Sequence, residues 1–130
     1  MKQPASSIAL EKLIETYCSA WDEPDPARRE QMLKDVWAED GMYTDPTIHT
    51  VGRRELAEHI GQVLTRYPGS RIVRTSHLDT HHGMMRFSWK KVLADGKSLP
   101  EGIDFCELSS EGKLQRIIGF FGPLARREDS

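Results

Sequence analysis

The chain has 130 residues, of which 29% are charged and 38% hydrophobic, and its formal net charge is -2. This length suits one domain, over residues 1–130, that buries a core without disulfides or a structural metal. Because nucleic-acid-binding domains normally carry a basic excess, the charge balance argues against nucleic acid as a partner.

The amino-terminal residues predict two helices in succession. Apolar residues recur at gaps of three and four over residues 10–21, which places them on one face of a first helix. Ser6 or Ser7 can cap its start. Asp25 followed by Pro26 predicts the cap and the first residue of a second, short helix.

A short strand and a third helix follow in the predicted order. The buried side of the second helix is predicted to continue through Trp37, and residues 39–41 (Glu-Asp-Gly) predict a turn. Residues 42–45 are then a short strand, after which comes a loop carrying His49. Residues 52–69 hold a third helix, opened by glycine and ended by a Pro-Gly pair.

After residue 70 the period changes to that of strands. Four strands are predicted, over residues 72–78, 84–93, 102–108 and 114–121. The turns between them are predicted at His82-Gly83, Asp95-Gly96 and Ser110-Glu111-Gly112. Three helices around one short strand, followed by a four-strand antiparallel meander, predict an α+β fold with the helices packed against one sheet face.

The cysteines and the amino terminus predict a reduced, cytoplasmic setting. Cys18 and Cys106 lie far apart in apolar patterns, which is typical of core thiols. No zinc spacing occurs, so no metal is expected. Residues 1–7 lack the basic and apolar segments of a signal peptide, and no apolar stretch reaches the roughly 20 residues that span a bilayer, so no membrane partner is expected.

Basic residues occur in scattered pairs, and each pair is predicted to lie on a solvated face rather than along a phosphate track. The pairs are Arg28-Arg29, Arg53-Arg54, Lys90-Lys91 and Arg126-Arg127.

Five short strings occur in an order that resembles a known superfamily. They are Tyr17-Cys18-Ser19-Ala20-Trp21, Val36-Trp37-Ala38-Glu39-Asp40, Tyr43-Thr44-Asp45-Pro46, Gly102-Ile103-Asp104-Phe105 and Gly119-Phe120-Phe121-Gly122. Strings and element order together resemble the SnoaL-like, or nuclear transport factor two-like, superfamily over nearly the whole chain. The resemblance implies a cystatin-like α+β roll, in which a cone-shaped, curved antiparallel sheet wraps around the long third helix and encloses a hydrophobic pocket.

The resemblance also implies a homodimer, because the outer face of such a sheet commonly packs against a second copy. Phe87 and Trp89 would mark that face if they are not core residues.

Within the superfamily, three residues are similar to those of ketosteroid isomerase. In that family a tyrosine of the first helix and a protonated aspartic acid of the penultimate strand form an oxyanion hole, and an aspartate before a proline moves the proton. The matching positions hold Tyr17, Asp104 and Asp45. The resemblance implies that these residues are catalytic and act without a cofactor.

The residues by themselves leave a second interpretation open for each position. Asp45 shares a strand face with Tyr43 and either lines the pocket as a base or only accepts hydrogen bonds in the Asp-Pro turn. Asp104 points inward, where it needs a partner or a proton, or outward, where it can pair with Arg86. Tyr17 is either a core residue or an oxyanion donor.

Seven further residues are predicted to line the pocket. They are Trp21, Trp37, Tyr43, His49, His59, His77 and Phe121. The aromatic residues also suit the core, and each histidine is either a surface or structural residue or a general base. A histidine with an aspartate would instead resemble the dehydratases of the superfamily. His59 stands where the isomerases tend to carry an apolar residue, which indicates a more polar cavity.

Two functions follow as hypotheses. The first is an isomerase, cyclase or related lyase that moves a proton next to the carbonyl of a small apolar molecule. The second is a non-catalytic ligand-binding or dimerisation domain, which the same fold also supports. Phosphoryl transfer and serine hydrolysis are disfavoured because the sequence has no glycine-rich phosphate loop and no nucleophile elbow.

Overall fold

The computed structural model describes residues 7–128, which hold three α-helices and seven β-strands. The helices are α1 (Ser7–Ala20), α2 (Pro26–Val36) and α3 (Arg53–Arg66). The strands are β1 (Trp37–Asp45), β2 (Ile48–Val51), β3 (Arg71–Arg74), β4 (Asp79–His81), β5 (Met84–Val92), β6 (Gly102–Leu108) and β7 (Leu114–Phe121). Ser6, one of the two predicted caps, lies outside the described residues. Within them, no helix has the length and apolar character to cross a membrane.

The strands form one sheet in the order β2-β1-β7-β6-β5-β3, with β4 also paired to β5. The sheet is mixed rather than wholly antiparallel, because β1 and β7 run parallel. The predicted meander is present in β5, β6 and β7, and β3 pairs with β5 at one edge. The parallel pair matters for the site, since it brings the end of β1 beside β7, which in turn pairs with β6.

The core lies between the helices and one face of the sheet. Fully buried apolar side chains come from all three helices and from β1 and β7; they include Ile14, Leu33, Leu56, Ile60, Trp37, Leu114 and Ile117. The predicted α2 start is confirmed, because the Asp25 side chain accepts from the Ala27 N–H at 3.2 Å. Cys18 and Cys106 are free and buried, as predicted. The third helix, predicted to be long, has 14 residues, as many as α1.

The region predicted as a turn before the first strand is part of that strand. Trp37 begins β1 instead of ending α2, and residues 39–41 continue the strand. The register against β7 shifts between Trp37 and Met42, which is typical of a bulge. Gly41 is required by a close contact, since a Cβ there would lie 2.6 Å from Trp37 Nε1. The predicted loop around His49 is β2, which pairs antiparallel with β1.

The single strand predicted over residues 72–78 is interrupted. It consists of β3 and β4, separated by residues 75–78. Within this connection the Ser88 N–H donates to Ser76 Oγ at 2.8 Å, so a side chain replaces a backbone acceptor of the ladder. His77 therefore lies in an exposed connection and not in a strand.

Two residues of the basic pairs are buried, contrary to the prediction that the pairs are solvated. Arg29 is 5% exposed, and its guanidinium donates to the carbonyls of Glu23, Pro24 and Ala57. Lys91 is 8% exposed. Adjacent residues on a helix or strand face different directions, so two like charges in sequence need not share an environment.

Candidate functional site

A cavity of about 560 Å³ lies between α1, α3 and the inner face of the sheet. Pockets that hold small molecules commonly measure about 300–1,000 Å³. The three residues predicted to be catalytic, Tyr17, Asp45 and Asp104, all line it. Four of the other predicted residues line it as well: Trp21, Tyr43, His59 and Phe121.

Three residues predicted to line the pocket lie elsewhere. Trp37 is fully buried behind Tyr17, with the two rings stacked at 5.8 Å. His49 is exposed and lies opposite Thr44, whose Oγ1 is 2.6 Å from His49 Nδ1. Because side chains alternate along β1, Thr44 and its partner face away from the cavity. His77 lies in the exposed connection between β3 and β4.

Asp104 is a buried acid on the inner face of β6. It is 5% exposed, and its Oδ1 accepts a hydrogen bond from Trp89 Nε1 at 3.0 Å. Burial raises the pKa of Asp104 to about 7, with a smaller contribution from the charge of Asp45, while the Trp89 hydrogen bond opposes the rise. The outward alternative is excluded, since Arg86 pairs instead with Asp79 at 2.8 Å. Near neutral pH Asp104 therefore populates a protonated form that can donate a hydrogen bond.

The two carboxylate oxygens of Asp45 have different environments. Oδ1 accepts from the Thr47 N–H at 2.7 Å, the Thr47 hydroxyl at 2.6 Å and the Ile48 N–H at 3.2 Å. Oδ2 accepts from the Tyr43 hydroxyl at 2.6 Å. Asp45 thus has the environment of both interpretations, the turn acceptor at Oδ1 and the cavity-lining carboxylate at Oδ2. Oδ1 holds the turn after β1, while Oδ2 keeps a lone pair that can accept a further hydrogen bond.

Gly119 of β7 lies between the two acids. A Cβ at this position would be 2.9 Å from Asp104 Oδ1 and 3.5 Å from Asp45 Cβ. The strand register explains this position. Asp104 of β6 pairs with Gly119. On the other side of β7, Thr44 pairs with Ile118, so the next residue of β1, Asp45, lies beside Gly119. The absence of a side chain leaves room for both carboxyl groups on the inner face.

Two tyrosine hydroxyls complete this end of the cavity. Burial raises the pKa of Tyr17 well above its usual value, and the charge of Asp104 adds to the rise. Burial, then the charges of Asp104 and Asp45, raise the pKa of Tyr43. Both hydroxyls therefore stay protonated and can donate hydrogen bonds.

His59 of α3 is half-buried beside these groups. Its ring centroid is 5.8 Å from that of Trp21 and 6.0 Å from that of Tyr43. Burial lowers the pKa of His59, and the charge of Asp45 opposes the shift. The imidazole is therefore neutral at pH 7 and able to accept a proton. Within residues 7–128, no three His, Cys, Asp or Glu side chains are grouped so as to hold a metal ion.

Lys91 and Trp89 line the cavity and were not among the predicted site residues. The ring of Trp21 lies 5.7 Å from Lys91 Nζ. A sequence signal for both existed in the predicted strand over residues 84–93, because alternation places Phe87, Trp89 and Lys91 on one face. The use of Phe87 and Trp89 as a dimer face is also excluded, since Phe87 is 2% exposed and Trp89 faces the cavity.

No protein-family model matches the chain, and no curated protein matches it. A proposed isomerase of the SnoaL-like family from Agrobacterium tumefaciens is 32% identical, with a TM-score of 0.81 over 86% of this chain and 96% of that one.

Two more distant solved structures share the fold. A proposed SnoaL-like polyketide cyclase from Jannaschia is 12% identical, with a TM-score of 0.65 over 92% of this chain and 90% of that one. A protein of unknown function with a cystatin-like fold from Methylobium petroleophilum is 20% identical, with a TM-score of 0.75 over 98% and 86%. The predicted cystatin-like α+β roll is confirmed.

Proposed function

Because this chain belongs to the SnoaL-like family, we propose that it is a cofactor-independent isomerase or cyclase that moves a proton next to a carbonyl group. The observation that carries the proposal is the position of Tyr17, Asp45 and Asp104 on one cavity, with the two acids on either side of Gly119. The substrate is a small, largely apolar molecule, since aromatic side chains form much of the wall.

In the proposed reaction Asp45 is the base. Its Oδ2 takes a proton from the carbon next to the carbonyl, and the electron pair of the broken C–H bond moves to the carbonyl oxygen as an enolate. Return of the proton to a different carbon gives an isomer. Attack of the enolate carbon on a second carbonyl closes a ring instead, and the oxygen of that carbonyl then takes the proton from Asp45. Oδ1 holds the carboxylate in place through its three hydrogen bonds in the turn.

Asp104 and Tyr17 are the proposed donors to the enolate oxygen. Trp89 occupies Asp104 Oδ1, which leaves Oδ2 to carry the proton. Removing one such donor typically lowers kcat by about 10²–10³-fold. Since the pKa of Asp104 is raised to about 7, the donor is lost as the pH rises above that value, and kcat is expected to fall with it.

The test uses a panel of β,γ-unsaturated ketones in D₂O. NMR monitors both hydrogen–deuterium exchange next to the carbonyl and isomerisation of the double bond. We expect the wild-type protein to accelerate deuterium uptake next to the carbonyl, and Asp45→Asn to lower kcat/KM by about 10²–10⁴-fold. Asp40→Asn is the matched control, because Asp40 lies on the same strand but is exposed and bonds to Gln115 at 3.1 Å.

Full activity of Asp45→Asn would remove Asp45 from the mechanism. Absence of exchange with every ketone in the wild-type protein would favour the alternative, a non-catalytic ligand-binding domain.

A lyase is the second candidate, and the position of His59 favours it. This neutral imidazole lines the same cavity as Asp45, so a histidine could act as the base in a dehydration. In the same assay extended to β-hydroxy ketones, loss of dehydration in His59→Gln but not in Asp45→Asn would select this reaction. His49→Gln is the control, because His49 is exposed on the other face of β1 and β2.

We also propose that the chain forms a homodimer through the outer face of its sheet. Ile103, Phe105 and Phe120 are 39%, 41% and 57% exposed there, and the rings of Phe105 and Phe120 meet edge to face at 6.0 Å. Exposed apolar side chains in contact with each other favour an interface. Sedimentation velocity should find a dimer for the wild-type protein and a shift toward monomer for Phe120→Thr; a wild-type monomer at 100 μM would contradict this.

A further inference from the structure

We propose that Lys91 binds a carboxylate of the ligand, so that the molecules this cavity accepts are apolar, ring-containing acids. The inference rests on the proposed use of the cavity for a small molecule, but not on any catalytic step.

The first support is the environment of the Lys91 ammonium group. The side chain lines the cavity, is 8% exposed, and its Nζ has no hydrogen-bond partner within residues 7–128. An ammonium group can donate three hydrogen bonds, and burying it without an acceptor is unfavourable. A ligand carboxylate would supply both the acceptor and the opposite charge.

The neighbouring groups do not supply that acceptor. In the described part of the chain no carboxylate forms an ion pair with Lys91 within 4.0 Å. The acid whose charge acts on Lys91 is Asp22, and its Oδ1 accepts from the Ile72 N–H at 2.8 Å. The face of the Trp21 ring, 5.7 Å away, gives a cation–π contact but accepts no conventional hydrogen bond.

A second cation, Arg66, also lines the cavity. The positive charges of Lys91 and Arg66 both lower the pKa of the neutral His59, while the charge of Asp45 raises it. Burial lowers the pKa of Lys91 itself, while the charge of Asp22 opposes the shift. Lys91 and Arg66 thus place two positive charges in the wall, against the one negative charge of Asp22 that acts on Lys91, which favours an anion over a neutral polar group.

The position of Lys91 sets the shape of the ligand. Phe87 pairs with Asp104, and Lys91 lies four residues further along the same face of β5. At about 3.3 Å per residue, the backbone positions of Phe87 and Lys91 are about 13 Å apart along the strand. Trp89 lies between them and Trp21 faces Lys91, so an aromatic or polycyclic body can fill the middle of the cavity. The carboxylate and the reacting carbonyl would thus stand at opposite ends of the ligand.

The test compares two probes of the same shape, 2-naphthoate and 2-naphthamide, by isothermal titration calorimetry. We expect the wild-type protein to bind the acid at least about tenfold more tightly than the amide, a difference of about 1.4 kcal/mol. Lys91→Met should reduce this preference to less than about twofold, while Lys91→Arg, which keeps the charge, retains it. Lys90→Met is the matched control, because the adjacent lysine is not part of the cavity wall.

A second measurement needs no variant. In NMR spectra of lysine side-chain ammonium groups, naphthoate should shift the signal of one buried lysine, and naphthamide should not. Equal affinities for the two probes, no naphthoate binding at millimolar concentration, or a preference that survives in Lys91→Met would overturn the proposal. The preference for naphthoate is measured without turnover, so absence of ketone exchange with an intact preference would contradict the proposed reaction but not the acid site.

Discussion

Three successive residues of β6 depart from the pattern expected of a strand with one face on a core. Asp104 points inward and is 5% exposed, whereas Ile103 and Phe105 point outward and are 39% and 41% exposed. In most sheets with one covered face, apolar residues point inward and polar residues outward. The inward acid stands in a cavity, which supports the proposed ligand site, and the outward apolar residues form a patch, which supports the proposed dimer face.

In the isolated chain β6 therefore holds a buried acid and exposed apolar side chains, and each environment is energetically unfavourable for a different reason. An acid in a cavity loses hydration, which favours its neutral form. Apolar side chains on the outer face remain in water. Substitutions on the two faces should have effects that differ in size, in pH dependence and in dependence on protein concentration.

The largest effect is expected from Asp104 as the pH changes. Its pKa is raised from 3.8 to about 7 in the folded protein, so the folded state keeps a proton that the unfolded state releases. The stability due to this group is full below about pH 4 and is lost as the pH rises through about 7. The loss amounts to about 4 kcal/mol. Urea unfolding between pH 4 and pH 8 should show this fall relative to Asp104→Asn, in which it is absent.

Glu107→Gln is the matched control for Asp104→Asn, since it makes the same chemical change on the same strand. Glu107 is on the outer face of β6, paired with Arg116 at 3.5 Å, and both side chains are more than two-fifths exposed. Its removal should change stability by less than about 1 kcal/mol. Similar pH profiles for the two variants would contradict the contrast between the faces.

An intermediate effect is expected from removing one phenylalanine ring from each face. Phe87 is 2% exposed on the inner face of β5, so Phe87→Ala should lower the free energy of unfolding by about 3 kcal/mol. Phe105 is 41% exposed, so Phe105→Ala should cost less than about 1 kcal/mol in dilute solution. Urea unfolding at 1 μM and 100 μM measures both, and only the Phe105 effect should grow with concentration, because only that residue lies on the proposed dimer face.

An effect no larger than that of Phe87→Ala is expected at Gly119. In Gly119→Ala the new methyl group would lie 2.9 Å from Asp104 Oδ1, so the carboxyl group must shift. We expect the free energy of unfolding to fall by about 1–3 kcal/mol. The pKa of Asp104 should also change, which NMR of its carboxyl carbon measures. An unchanged pKa with full stability would show that the space between the two acids is not tight.

Local patterns were sufficient for much of the fold. The limits of β6 and β7 were predicted to the residue, because hairpin turns and alternation set both ends. The α2 cap was predicted from Asp25 and Pro26 alone. Patterns failed where a side-chain contact controls the backbone. Gly41 gives room to the Trp37 ring, and Ser76 replaces a ladder acceptor for Ser88.

The site was predicted in part, and for a similar reason. Tyr17, Asp45 and Asp104 came from the resemblance, and alternation placed Tyr43 and Asp45 on one face. Lys91 was missed because a pair of lysines looks solvated in sequence, although the face of β5 that carries Phe87 also carries Lys91. His49 and His77 were included because imidazole can act as a base. The type of a residue does not indicate whether its side chain faces the cavity.

The sequence by itself determined the order of the three helices and of the longer strands, and the residue types available for proton transfer, because these depend on neighbours along the chain. Only the tertiary structure decided which side chains meet. The parallel pairing of β1 with β7 brings Asp45 beside Gly119, and pairing of β7 with β6 brings Asp104 to the same point. Burial of that point then raises the pKa of Asp104, and burial is a property of the whole fold that no local pattern contains.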